Sequence, residues 1–149
     1  MKFTSEEQSI IDQANAIIDS KIQSGASITS PQIAKELFRT MIAPLEHEVF
    51  LVAFLNNQNI IISVETMFRG TIDGASVYPR EVAKVALAHN AAAVILAHNH
   101  PSGITEPSQA DINITRRLQA ALELFDIRVL DHLIYGAGPT CSLGERGVL

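Results

Sequence analysis

Two short, wholly apolar runs, residues 49–55 and 91–97, constrain the fold of this chain most strongly. Each run is about seven residues long, which suits a strand and is far below the roughly 20 residues that cross a bilayer. A strand with one face in water alternates apolar and polar residues, whereas a strand covered on both faces need not. We therefore expect both runs to be buried strands of an α/β fold.

The N-terminal third of the chain carries helix signals. Thr4-Ser5-Glu6-Glu7 matches a capping box, and the apolar residues that follow at helical spacing predict an amphipathic helix ending near Ser24-Gly25. A polar linker, residues 26–29, leads to Ser30-Pro31, which resembles an N-cap followed by proline at the first helical position. We expect this second helix to end near Met41.

The rest of the chain alternates strand and helix patterns. Residues 48–55 and 60–68, joined by the turn 56–59, predict a hairpin of two strands. The further predictions, in chain order, are a loop at 69–76, a helix from Pro79 to about His89, the buried strand 91–97, a helix from Pro107-Ser108 to about Phe125, a strand at 127–135, a turn at 136–139 and a short tail.

Length and composition limit the possible functions. A chain of 149 residues, 47% of them hydrophobic, is long enough for one domain with a proper core. The single cysteine, Cys141, excludes an internal disulfide and a multi-thiolate zinc site, and we expect it to be a buried apolar residue. The net charge of -5, with only Arg116-Arg117 as adjacent basic residues, provides no stripe for nucleic acid. The N-terminus lacks a signal-peptide pattern, so we expect a cytoplasmic protein with no membrane association.

A candidate metal site follows the second apolar run. His98 and His100 are separated by one residue, so in an extended backbone both imidazoles project to the same side. Ser108 and Asp111 share one face at the start of the next predicted helix, where the helix dipole favours an ionised carboxylate. Two histidines, one aspartate and a water complete a catalytic zinc site, with Zn²⁺ as the cofactor.

Each part of this pattern also has a purely structural explanation. Ser108 and Asp111 match an S-x-x-D capping box, which would account for both residues without a metal. A His-x-His pair in a loop is often only exposed polar sequence. The metal site is favoured because both features border the same loop, directly after a buried strand.

The run His98-x-His100-x7-Ser108-x2-Asp111 matches the JAMM signature of the JAB/MPN+ metallohydrolases. The stretch from Ala91 to Gly103 resembles the RadC branch in particular, as do the residues 77–81 and 130–134. This resemblance implies a mixed β-sheet flanked by helices, related in architecture to the cytidine deaminases. It also implies a bound zinc ion and, in the wider superfamily, hydrolysis of peptide or isopeptide bonds in protein substrates. We therefore divide the chain into an N-terminal helix and linker, residues 1–28, and a RadC-type domain, residues 29–149.

The same resemblance implies an upstream glutamate that acts as general base, and Glu48 is the best positional match. Glu46, two positions away, is the rival, and Glu48 could also be a solvated residue at a strand edge. By the same resemblance, Ser108 would orient or stabilise the oxyanion. Asn99 stands where many JAMM proteins have Ser or Thr between the histidines, as it does in the RadC branch.

Two other functions stay open. The family's association with DNA repair suggests a DNA-associated accessory protein, although the helix-hairpin-helix region of full-length RadC proteins has no counterpart in the sequence before residue 29. A non-catalytic MPN scaffold is the third hypothesis, and the full ligand set argues against it. His132 is either a partner of a metal ligand or a satisfied core histidine, and only one of Asp131 and His132 can face the site. We expect His47 and His89 at the surface.

Overall fold

A computed structural model describes residues 2–70 and 77–149, which form four helices and five strands. The helices are α1 (Ser5–Gln23), α2 (Pro31–Ile42), α3 (Pro79–Ala88) and α4 (Gln109–Glu123). The strands are β1 (Val49–Leu55), β2 (Ile61–Arg69), β3 (Ala93–Asn99), β4 (Arg128–Tyr135) and β5 (Cys141–Ser142). Of the loop predicted at 69–76, residues 71–76 lie outside the described part of the chain.

The strands form one mixed sheet in the order β2-β1-β3-β4-β5. β1 pairs antiparallel with β2, as the hairpin prediction requires, and also antiparallel with β3. β3 and β4 are parallel and are connected through α4, and β5 pairs antiparallel with the end of β4. The two apolar runs thus become the adjacent central strands β1 and β3, and Phe50 of β1 lies opposite His98 of β3.

Both faces of the sheet are covered, which explains the apolar runs. On one face, residues of β1, β3 and β4, such as Leu51, Ile95 and Leu133, pack with Phe38 and Ile42 of α2. The other face carries Phe50, Val52, Phe54, Val94 and Leu96, which pack with α3 and α4. Every residue of β1 and of β3 is buried, because successive side chains enter opposite but equally dry cores. The predicted α/β fold, a mixed sheet flanked by helices, is confirmed.

Several predicted boundaries were wrong. β3 begins at Ala93 and continues to Asn99, so His98 lies within the strand, whereas the prediction ended the strand at Ala97. α4 ends at Glu123, because Asp126 adopts a positive φ of 58° and the chain turns there. The predicted tail contains β5, which pairs through only Leu133–Ser142 and Ile134–Cys141. A strand of two residues is too short to produce a recognisable alternation.

The N-terminal helix begins with the capping box predicted from Thr4 and Glu7. α1 packs on α2 and β2, and Ile22 contacts the core on that side of the sheet. The linker after it is held to the hairpin, because the Ile28 N–H donates to the Asn59 carbonyl at 2.8 Å and the Ile61 N–H donates to the Ala26 carbonyl at 2.8 Å. None of the helices in the described ranges has the length and apolarity needed to cross a membrane.

Candidate metal centre

His98, His100 and Asp111 converge where β3 ends and α4 begins. The Nε2 atoms of the two histidines are 2.8 Å apart. The Asp111 carboxylate bridges them, with Oδ1 3.1 Å from His98 Nε2 and Oδ2 3.1 Å from His100 Nε2. His98 and Asp111 are buried, whereas His100 is partly exposed. The structure therefore brings together three side chains whose nitrogen and oxygen atoms suit a metal ion.

The backbone explains why both imidazoles face the same point. His98 is in β3, and the His100 N–H donates to the Tyr135 carbonyl of β4 at 2.7 Å, so the extended pairing with β4 continues past the strand end. Residues two apart in extended backbone project to one side. His100 Nδ1 lies 2.7 Å from the Ile104 carbonyl, and because a carbonyl only accepts, Nδ1 carries the proton and donates it. In a neutral ring, His100 Nε2 then has a free lone pair.

The loop between the histidines and α4 packs against the β4–β5 connection. Gly103 has a φ of 88°, and its carbonyl accepts a hydrogen bond from the Ala137 N–H at 3.0 Å. A Cβ atom at Gly136 would lie 2.6 Å from the Gly103 carbonyl oxygen, so only glycine fits there without movement of the loop. This close approach fixes the path of the chain from His100 to Ser108.

Ser108 and Asp111 form the capping box of α4. The Ser108 hydroxyl accepts from the Asp111 N–H at 3.1 Å, and Asp111 Oδ2 accepts from the Ser108 N–H at 2.7 Å. Burial alone would raise the pKa of the Asp111 carboxyl, but the neighbouring imidazoles of His100 and His98 hold its pKa well below its usual range. The hydrogen bond to Asp111 raises the pKa of His100, against the opposing effect of burial. Asp111 therefore serves as a helix cap and as an ionised member of the cluster.

Glu48 joins the cluster from the residue before β1. One ligand atom from each of Glu48, His98 and His100 lies within 4.8 Å of the others, so these three side chains could hold a metal ion. Glu48 is half-buried, whereas Glu46 is exposed. The geometry favours Glu48 over Glu46 as the glutamate of the site.

Asn99 holds the Glu48 segment against β3. Its Oδ1 accepts from the Val49 N–H at 2.8 Å, and its Nδ2 donates to the carbonyls of His47 and Leu45 at 3.0 and 3.2 Å. The side chain is buried, so it satisfies three backbone groups away from solvent. Sequence reasoning assigned no role to Asn99, because its partners are about 50 residues distant in the chain and no local pattern marks them.

His132 contacts His98 behind the cluster. Its Nε2 is 2.7 Å from His98 Nδ1, and its Nδ1 is 2.5 Å from the Thr115 hydroxyl. Burial, followed by the proximity of His98, holds the pKa of His132 well below its ordinary value. His132 is thus a core histidine with a partner at each ring nitrogen, and one of those partners is the proposed ligand His98. Asp131 faces away and accepts from the Ser142 hydroxyl and the Gly144 N–H.

The remaining candidate residues lie apart from the cluster. Cys141 is buried, and burial raises the pKa of its thiol, which fits the predicted apolar role. His47 is exposed, as predicted. His89 is only half-buried, and its Nε2 lies 2.6 Å from the Glu65 carboxylate.

A mixed sheet with helices on both faces, and a histidine–carboxylate cluster at the end of a central strand, define an α/β domain with the JAB/MPN fold. The model of the RadC-like JAB domain matches residues 28–148. The chain belongs to this family.

The chain is also similar to bacterial proteins of known sequence. A UPF0758 protein of Cellvibrio japonicus is 57% identical over 142 residues, which are 95% of this chain and 63% of that protein. A UPF0758 protein of Vibrio vulnificus is 54% identical over 140 residues, 94% of this chain and 62% of the relative. One from Marinobacter nauticus is 50% identical over 142 residues, with coverage of 95% and 63%. The chain thus spans slightly less than two thirds of the length of these relatives.

Proposed function

We propose that this protein is a zinc-dependent hydrolase of the JAMM type that cleaves a peptide or isopeptide bond in a protein substrate. The observation that supports it is the convergence of His98 Nε2, His100 Nε2 and the Asp111 carboxylate beside Glu48. The proposal is made for the domain that the structure describes. That the longer relatives act on the same class of substrate is also part of the proposal.

The donor set fits zinc. Catalytic zinc sites use three nitrogen or oxygen ligands and keep one position open. Ligand atoms around a tetrahedral zinc with bonds of about 2.0 Å lie about 3.3 Å apart. The separations of 2.8 and 3.1 Å among the three side chains are close to that spacing. His98 and Asp111 are buried and His100 is partly exposed, so the cluster is open to solvent on the His100 side.

A bound zinc ion would supply Lewis acidity, lowering the pKa of water and polarising the scissile carbonyl. Glu48 takes up a proton at its carboxylate from the attacking water and returns it to the leaving amine. The position of Glu48 supports this role, because its carboxylate is half-buried and lies within 4.8 Å of ligand atoms of both histidines.

Ser108 would donate a hydrogen bond to the oxygen that gains charge. In the capping box its oxygen only accepts, from the Asp111 N–H. A hydroxyl has one proton besides its acceptor lone pairs, so the cap leaves that proton available. Ser108 is exposed at the start of α4, so its hydroxyl is accessible to a substrate.

The test combines metal analysis with a peptide-library cleavage screen of wild type, Glu48→Gln and the matched control Glu46→Gln. We expect Glu48→Gln to retain zinc and lose cleavage, because it keeps the shape of the side chain but cannot take up the proton. Glu46→Gln should cleave as wild type does. Unchanged cleavage by Glu48→Gln would refute the general-base role.

The DNA-associated and scaffold alternatives gain no specific support. A net charge of -5 disfavours the phosphate contacts on which DNA affinity depends. A pure scaffold would not require two histidines and an ionised carboxylate to converge. Salt-dependent DNA binding by the chain would favour the first alternative, and zinc binding without turnover of any acyl substrate would favour the second.

A further inference from the structure

We infer that His132, oriented by Thr115, is a positioning residue that fixes the tautomer of His98 so that the His98 Nε2 lone pair faces the ligand cluster. The inference rests on the proposed function in that it assumes His98 binds a metal through Nε2. Three hydrogen bonds carry the inference, and the direction of each follows from the chemistry of its partners.

The first hydrogen bond sets the direction of the others. Thr115 Oγ1 is 2.6 Å from the backbone carbonyl of Asp111, and a carbonyl only accepts, so the Thr115 hydroxyl donates its proton there. A hydroxyl has no second proton. The contact of 2.5 Å between Thr115 Oγ1 and His132 Nδ1 therefore requires His132 Nδ1 to be the donor.

The proton on His132 Nδ1 determines the remaining bond. His132 is fully buried, and a charged imidazolium is costly in such surroundings, so the ring carries one proton and that proton is on Nδ1. His132 Nε2 is then an acceptor, and His98 Nδ1, at 2.7 Å, donates to it. A neutral His98 protonated at Nδ1 has its lone pair at Nε2, the atom 3.1 Å from Asp111 Oδ1.

The hydrogen-bonded series Thr115–His132–His98 is called the relay below. Packing against Phe50 holds its two imidazole rings in place. Phe50 stacks on His98 with centroids 6.0 Å apart and meets His132 edge to face at 5.4 Å. The relay also joins three elements, since Thr115 is one turn after Asp111 in α4, His132 is in β4 and His98 is in β3. α4 therefore supplies both the Asp111 carboxylate and the Thr115 hydroxyl, which orients His98 through His132.

The two histidines of the cluster have different partners. His100 Nδ1 donates to the backbone carbonyl of Ile104, whereas His98 Nδ1 depends on a side chain. Disruption of the relay should therefore change the tautomer of His98 and leave that of His100 unchanged. This difference provides an internal control within one molecule.

The experiment measures tautomers by long-range ¹H–¹⁵N NMR on chelator-treated protein, and zinc affinity by competition with a chromophoric chelator. Four variants form two pairs. Thr115→Val keeps the branched shape but removes the oxygen that accepts from His132 Nδ1, and Thr115→Ser keeps the hydroxyl. His132→Leu removes the acceptor, and His132→Gln can place an oxygen near the position of Nε2.

We expect Nδ1-protonated His98 in wild type, Thr115→Ser and His132→Gln. Thr115→Val and His132→Leu should show a mixture of His98 tautomers, with zinc affinity lower by about 10- to 100-fold, the usual effect of removing a partner of a metal ligand. Wild-type His98 protonated at Nε2, or undiminished zinc affinity in folded Thr115→Val, would overturn the inference. Neither the tautomer measurement nor the zinc affinity depends on cleavage. If the proposed hydrolysis is wrong, the protein would still bind zinc with Nδ1-protonated His98 but would show no turnover.

Discussion

Asn99 Oδ1 accepts a hydrogen bond from the Val49 N–H at 2.8 Å and so joins the strand of the histidines to the residue that follows Glu48. The same side chain donates to the carbonyls of Leu45 and His47. The pairing of β1 with β3 ends at Phe50 and His98, and one buried amide holds the backbone on both sides of Glu48 beyond that end.

Replacement of Asn99 by Ala should lower both stability and activity. The change leaves the buried Val49 N–H without its partner, which costs about 1–3 kcal/mol of unfolding free energy. The cleavage rate should fall because the backbone around Glu48 loses its contacts with Asn99. Zinc should remain bound because His98, His100 and Asp111 are unchanged. Urea unfolding, metal analysis and cleavage rate measure the three effects. The exposed turn residue Asn57 is the control, and equal stability of Asn99→Ala and Asn57→Ala would contradict the assigned role.

Metal binding should require the three proposed ligands. We expect about one zinc per chain in wild type and none in His98→Ala or Asp111→Asn. Asp111→Asn is preferable to alanine, because the amide oxygen can still accept from the Ser108 N–H and preserve the start of α4. Elemental analysis of purified protein provides the measurement, with His89→Ala as the matched histidine control. Stoichiometric zinc in either ligand variant would disprove the assignment.

The capping and catalytic roles of Ser108 can be separated by two substitutions. Ser108→Ala should lose about 0.5–2 kcal/mol of stability, whereas Ser108→Gly should lose only a few tenths, since glycine is tolerated at an N-cap. Both lack the hydroxyl, so both should reduce kcat by about 10²–10³ if it stabilises the oxyanion. Thermal unfolding and kcat are measured together. If kcat falls in Ser108→Ala but not in Ser108→Gly, in parallel with the loss of stability, Ser108 acts only as a helix cap.

The contact between Gly136 and Gly103 should make Gly136→Ala destabilising. The added Cβ would lie 2.6 Å from the Gly103 carbonyl oxygen, and the forced movement should cost about 1–3 kcal/mol. Gly138→Ala, two residues on, has no atom within 4 Å of the added Cβ and should be close to neutral. The two variants are compared by thermal unfolding. Similar melting temperatures would show that the loop adjusts freely.

The parts of the fold that could be predicted are those encoded locally. The apolar runs at 49–55 and 91–97 imply buried strands, since both faces of the sheet are covered. The spacing from His98 to Asp111 also falls within one strand, one loop and one helix turn. β5 could not be predicted, because it depends on pairing with β4 and has no pattern of its own.

The supporting contacts of the site could be predicted only in part, for a related reason. The sequence offers His132 as a candidate partner of a metal ligand, but it does not identify which ligand His132 contacts. His98 and His132 are 34 positions apart, and Asn99 and Val49 are 50 apart. Such contacts depend on strand order and register, which hydrophobic periodicity does not determine. The sequence therefore predicts the atoms that would touch a metal and leaves open the groups that orient them.

Each of the three proposed ligands is held by the protein at an atom that need not bind the ion. His98 is held at Nδ1 by His132, His100 at Nδ1 by the Ile104 carbonyl, and Asp111 at Oδ2 by the Ser108 N–H. The conformational entropy of these side chains is thus lost during folding, before any ion arrives. Binding of an ion then requires little further ordering of these side chains. Selectivity among metal ions therefore depends on the bond lengths and coordination number that the fixed side chains permit.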